Sequence, residues 1–174
     1  MKIEKKLPQF ENEIALIVAT GEQTAKFYLA GRGAINELEV FFEPNPEYTD
    51  REGFFEKRMR KDYGSGSVYE PKKEYVQNKF LRGLLTELKN AREKWKFEAI
   101  YFFFPDFVSK EILSALPDEF LKMVRLKITG NFFREHPFKL LRMIQREMKI
   151  GENEALKKEA RRLLKATDDK ELRK

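Results

Sequence analysis

Two short runs, Glu13–Ala19 (EIALIVA) and Glu98–Phe104 (EAIYFFF), are apolar at almost every position. A strand with one wet face alternates apolar and polar residues, whereas a strand covered on both faces has no need to. Each run has the length of a strand and is closed by a turn or breaker, Thr20-Gly21-Glu22 in one case and Pro105 in the other. Such runs require a sheet with a layer on each side, and so an α/β domain.

The segments around them fill in that plan. Lys26–Ala30 reads as a strand returning from the first turn. Gly31-Arg32-Gly33 is a second turn, and Ile35–Phe42 alternates as a third strand, making an antiparallel meander. Pro44 to about Pro71 mixes proline, glycine and charge without a sustained period; a connection of this length is functional or disordered. Phe54 and Phe55 are candidates to pin it to the core. Lys72–Trp95 is expected to be a helix, with Val76, Phe80, Leu81, Leu84, Leu85, Leu88 and Trp95 on one stripe.

Phe107–Leu116 predicts a second helix, with Asp106 as N-cap and Pro117 beyond its end. Phe120–Thr129 predicts a strand near the sheet edge, with Val124, Leu126 and Ile128 on one face and Arg125 and Lys127 between them. His136 and Pro137 open a third helix, with Leu140, Leu141, Ile144 and Met148 as its buried stripe. It runs to about Lys149 and is ended by Gly151. Glu152–Lys174 is charged, with a thin stripe of Leu156, Ala160, Leu163 and Leu164, and reads as a solvated helix or a frayed tail. The expected organisation is one α/β domain over residues 1–150 and a charged C-terminal helix or tail over 151–174.

The order β-β-β-α-β-α-β-α joins a meander to two helix crossovers, each linking parallel strands with right-handed turn. It implies a mixed sheet of about five strands in three layers, the ribonuclease H-like arrangement. The 174 residues suit one domain. With no cysteine and only His136, thiolate metal sites and cysteine nucleophiles are excluded, and neither a cofactor nor a metal is expected. No apolar run approaches the ~18 residues of a membrane span, and the first residues lack a signal-peptide core. The expectation is a soluble, cytoplasmic chain with no membrane partner.

Charge is uneven. Residues 120–149 carry eight cations against Glu135 and Glu147, a surplus equal to the +6 of the whole chain. Lys139, Arg142, Arg146 and Lys149 fall at helical spacing on one face, which suits a row of phosphates; the plain alternative is a solvated face. Arg125 and Lys127 lie nearby in sequence. Arg51, Lys57, Arg58, Arg60 and Lys61 occupy the long connection, interleaved with Phe54, Phe55, Tyr63 and Tyr69, which suit base stacking or anchoring of the loop. Gly64-Ser65-Gly66-Ser67, ahead of the long helix, reads as a linker or as a phosphate cradle. A two-metal nuclease would need acids clustered at the strand ends. The first strand has none, and Asp106 alone follows the fourth. His136, without a nearby nucleophile, reads as a capping residue.

Four passages also carry a resemblance: IALIVATGEQTAKFYLAG, YGSGSVYEPKKEYVQNKFLRGLLTELKNA, EAIYFFFPDFVSKEILSAL and LKITGNFFREHPFKLLRMI. Over roughly residues 12–149 the chain resembles the bacterial proteins related to archaeo-eukaryotic class-1 release factors, a group also described as required for attachment to host cells. The resemblance implies the fold of the release factor's central domain and a partner in the ribosome or its RNA. Release factors carry Gly-Gly-Gln in the loop before the long helix, where the Gln and the backbone organise a water to hydrolyse peptidyl-tRNA. The matching place here is Gly64-Ser65-Gly66-Ser67, without that Gln, and Thr20 stands where relatives often carry Asp. The leading expectation is therefore a non-catalytic protein that binds structured RNA or the ribosome. The rivals are a protein-interaction module, using the loop 44–71 or the tail 152–174, and a hydrolase acting on peptidyl-tRNA or RNA.

Overall fold

A computed structural model describes residues 1–42 and 70–171. Five strands form one sheet: β1 (Ala15–Thr20), β2 (Thr24–Gly31), β3 (Ala34–Phe42), β4 (Ala99–Phe104) and β5 (Val124–Thr129). Their spatial order is β3-β2-β1-β4-β5, with β1 antiparallel to β2, β2 antiparallel to β3, and β1, β4 and β5 parallel. This is the three-layer, mixed-sheet α/β arrangement that the element order implies. A bridge from Lys2 to Ala34 adds a fifth, one-rung pairing on the outer side of β3.

β1 and β4 are buried at every position and lie side by side in the middle of the sheet. Their alternate residues feed two cores. Ala15, Ile17, Ala19, Ala99, Tyr101 and Phe103 point to one face; Leu16, Val18, Ile100, Phe102 and Phe104 point to the other.

The second core is covered by α1 (Glu70–Trp95), α2 (Asp106–Ala115) and α3 (Asp118–Met123). Val76, Phe80, Leu84 and Leu88 of α1 are buried, whereas Trp95 is 38% exposed at its end. No glycine stops α1. Lys96 instead takes the left-handed conformation (φ 50°), its N–H returns to the Arg92 carbonyl at 2.9 Å, and the Arg92 guanidinium donates to the Phe97 carbonyl.

The first core is covered by α4 (Pro137–Glu171) and by the N-terminal strap, residues 1–14. Leu140, Leu141 and Ile144 pack there beside Ile3, Leu7 and Phe10. Phe10 meets the Tyr101 ring edge-on at 5.5 Å, and the Tyr101 hydroxyl donates to Glu13 at 3.1 Å.

Four boundaries differ from the sequence expectation. Phe120 belongs to a short helix, not a strand: Asp118 and Glu119 suit a helix N-terminus, and Phe120 stacks on Phe97 at 6.4 Å. Strand β5 begins only at Val124 and carries an irregularity opposite Ile100 and Tyr101. Val124 therefore packs on the second core while Leu126 and Ile128 pack on the first, so the three do not share a face.

The N-cap of α2 is Pro105, and Asp106 is its first residue, making no side-chain cap. Finally, Gly151 does not end α4, which runs 35 residues, about 52 Å at 1.5 Å per residue. A glycine costs a helix interior about 1 kcal/mol, and the Glu, Lys, Ala and Leu around this one are strong helix formers that outweigh it.

Candidate nucleic-acid interface

Helix α4 begins with a cap that the sequence suggests. The Nδ1 of His136 accepts from the Phe138 N–H at 3.3 Å, and its carbonyl accepts from the Lys139 N–H at 2.8 Å. His136 thus does the work of a capping residue. Successive residues turn by about 100°. Leu140, Leu141 and Ile144, all fully buried, then centre one side of the helix. Lys139, Arg142, Arg146 and Lys149 fall within about 80° of one another on the opposite side, and all four are exposed.

The four cations are not equivalent. Lys139 forms an ion pair with Glu135 at 2.8 Å. Among the described residues no ion pair holds Arg142, Arg146 or Lys149, so these three present uncompensated charge. Met148, expected in the buried stripe, is 44% exposed, because no described side chain of α4 is buried beyond Ile144. From there α4 projects past the body, and Ile150 (41%) and Leu156 (65%) are exposed too. The side chains of Ala160, Leu163 and Leu164 lie outside the described residues.

The structure separates Lys127 of β5 from this row. Leu126 and Ile128 face the core under α4, so Lys127 between them projects from the other face of the sheet. Arg125 is exposed and lies close enough to Tyr101 to act on its hydroxyl. Burial pushes that hydroxyl up to about 12, the Glu13 charge and hydrogen bond add to the rise, and Arg125 offsets part of it. Both cations sit on an edge strand, where charge also discourages pairing by another chain. Arg51, Phe54, Phe55, Lys57, Arg58, Arg60, Lys61, Tyr63, Gly64, Ser65, Gly66, Ser67 and Tyr69 lie outside the described residues.

Two other positions are structural. Thr20 is fully buried and its hydroxyl donates to the Phe103 carbonyl of β4 at 3.4 Å. Asp106 is exposed, and its carbonyl accepts from Ser109 at 2.7 Å. Among the described residues no group of three His, Cys, Asp or Glu side chains is placed to hold a metal, and no helix is long and apolar enough to cross a membrane.

Sequence reasoning missed the strap as a source of positive charge. Lys2, Lys5 and Lys6 are exposed, and the Gln145 amide of α4 donates to the Lys6 carbonyl, which brings the strap alongside the helix. The signal in the sequence is the spacing of Ile3, Leu7 and Phe10, which points one side inward and leaves the lysines outward.

No protein-family model matches the chain, and no curated protein matches it. Among solved structures it is similar to a crystal structure of the archaeal translation termination factor aRF1. The TM-score is 0.48 and the identity 12%, over 84% of this chain and 42% of that one. A second solved structure, of an archaeal protein, matches with TM-score 0.42 and 10% identity over the same shares. The chain spans less than half the length of either.

Proposed function

We propose that this chain is a non-catalytic RNA-binding domain that associates with the ribosome in the cytoplasm, and a bacterial relative of the release-factor central domain. The observation that carries the RNA-binding part is the row Arg142, Arg146 and Lys149, exposed opposite the buried stripe of α4 and without an ion-pair partner among the described residues. A helix face that needed only solubility would interleave acids with its cations. Three unpaired cations on one ridge match the spacing and charge of a phosphate backbone instead.

The ribosome enters through the resemblance of the sequence passages, which also supplies the family. The non-catalytic part is supported by Thr20, which is consumed in a hydrogen bond to β4 where relatives often carry Asp, and by Gly64-Ser65-Gly66-Ser67 in place of Gly-Gly-Gln.

Sucrose-gradient fractionation of cell lysate at low and moderate salt tests this reading. The expected result is co-migration with ribosomal particles at low salt, lost at moderate salt and after ribonuclease treatment. Migration at the top of the gradient at both salts would refute it. A second reading, a protein-interaction module, draws on the exposed Met148, Ile150 and Leu156 of the projecting part of α4. Co-migration with a larger species that survives ribonuclease would favour it. Purified protein that releases peptide from peptidyl-tRNA would overturn the non-catalytic part.

A further inference from the structure

The outer surface of the α4 layer has a second half. The strap lies beside α4 on the same core and is bonded to it through Gln145 and Lys6. Its other side is stitched to the β2–β3 hairpin: Ile3 N–H to the Gly33 carbonyl at 2.8 Å, Gly33 N–H to the Gln9 carbonyl at 2.8 Å, and Arg32 N–H to the Phe10 carbonyl at 3.0 Å. With Ile3, Leu7 and Phe10 turned inward, Lys2 and Lys5 are left exposed.

Between strap and hairpin lies an open cleft of about 790 Å³, whose charged lining is Lys2, Lys5, Arg32 and Glu11. Three cations and one acid give it a positive balance.

Arg32 occupies its place against local preference. The hairpin turn puts both of its central residues at positive φ, 51° for Arg32 and 73° for Gly33. Such a turn favours Asn, Asp or Gly at both positions, because a Cβ is crowded in the left-handed region. Gly33 follows that preference and Arg32 does not. Its N–H bond to the Phe10 carbonyl holds the backbone in that conformation, and Arg32 lines the cleft together with the two lysines. A planar, always-charged guanidinium is suited to grip a phosphate by two parallel bonds, and the lysines supply mobile point charges around it.

We infer that Lys2, Lys5 and Arg32 form a second phosphate-contact site, which holds the backbone of the same RNA whose phosphates lie along Arg142, Arg146 and Lys149. The inference rests on the RNA-binding reading above and extends it from one helix to a two-part surface, with the strap joining the parts. It also gives the strap a role besides covering the first core.

The test compares three variants by fluorescence anisotropy with a labelled RNA hairpin of about 30 nucleotides, between about 50 and 200 mM salt. The first is Lys2→Gln/Lys5→Gln/Arg32→Asn, in which Asn suits the left-handed position. The second is Arg142→Gln/Arg146→Gln/Lys149→Gln. The third, Lys89→Gln/Lys110→Gln/Lys122→Gln, removes the same charge from exposed positions on the other layer. Arg32→Asn alone is expected to hold or raise the thermal midpoint, so that weakened binding by the first variant is not a loss of fold.

The expected result is that the first variant binds at least about 10-fold more weakly than the third, with a salt slope shallower by about 2.7 units. If the first variant binds as the third does while the second loses affinity, the strap site is overturned and the α4 reading stands. If the first loses affinity and the second does not, the α4 reading is overturned and the strap is the phosphate site. RNA that binds none of the proteins, the native chain included, overturns both.

Discussion

Replacing Arg142, Arg146 and Lys149 by Gln removes the three cations of α4 that have no ion-pair partner among the described residues. If each neutralises one RNA phosphate, each contributes about −0.9 to the slope of log affinity against log salt. Three contribute about −2.7, so a fourfold rise in salt should cost the native chain about 40-fold more affinity than the variant. Lys139→Gln should change the slope by much less, because the Glu135 carboxylate at 2.8 Å already neutralises that ammonium. The four positions are exposed, so the thermal midpoint should reflect a change within about 0.5 kcal/mol. Anisotropy titrations of a labelled ribosomal RNA hairpin at three salt concentrations measure the slope directly. A slope unchanged in the triple variant, or an equal change in the Lys89, Lys110 and Lys122 control, would refute the assignment of α4 as a phosphate row.

Three further expectations concern the framework. Gly151→Ala has nothing within 4 Å of the added carbon and should strengthen α4 by up to about 1 kcal/mol; far-UV ellipticity should become more helical, and a fall would mean that the helix ends there. Gly83→Ala would bring a carbon to 2.2 Å from the Phe41 ring, itself stacked on Phe80 at 5.8 Å. The overpacking, about 1–3 kcal/mol, should exceed the helix-propensity gain and lower the urea midpoint; a rise would count against that packing.

Burial, aided by Glu37, also pushes the Tyr28 hydroxyl up to about 12, as burial and Glu13 do for Tyr101, from the usual 10.0. The folded chain keeps these protons after the unfolded chain has released them. Stability should therefore be level below pH 10 and fall between pH 10 and 12, by about 1.4 kcal/mol per pH unit for each tyrosine. Denaturation curves across that range should show a shallower fall for Tyr101→Phe; a fall as steep as the native chain's would contradict the assignment.

Much of the architecture is written locally. The unbroken apolar runs of β1 and β4 announce burial on both faces, and Val76, Phe80, Leu84 and Leu88 mark the inward side of α1, because side-chain periodicity follows directly from backbone geometry. The α4 row was legible for the same reason. Features that depend on a neighbour in space were not. Val124 has the right spacing to share a face with Leu126, yet the irregularity opposite β4 turns it to the other core. Met148 continues the apolar stripe of α4, yet lies beyond what the body covers. Lys96 ends α1 in a conformation that its side chain does not advertise.

The sequence by itself determined the layers, the order of the five strands and the three longer helices, and the cation row, since each rests on spacing within one segment. Only the tertiary structure decided which charges share a surface. It set Lys127 of β5 on the opposite face of the sheet from the α4 layer, and it brought the strap's lysines beside α4, more than a hundred residues away along the chain. Strand alternation and the burial of Ile3, Leu7 and Phe10 settle both, because a charged side chain must stay in water and goes wherever its apolar neighbours are not.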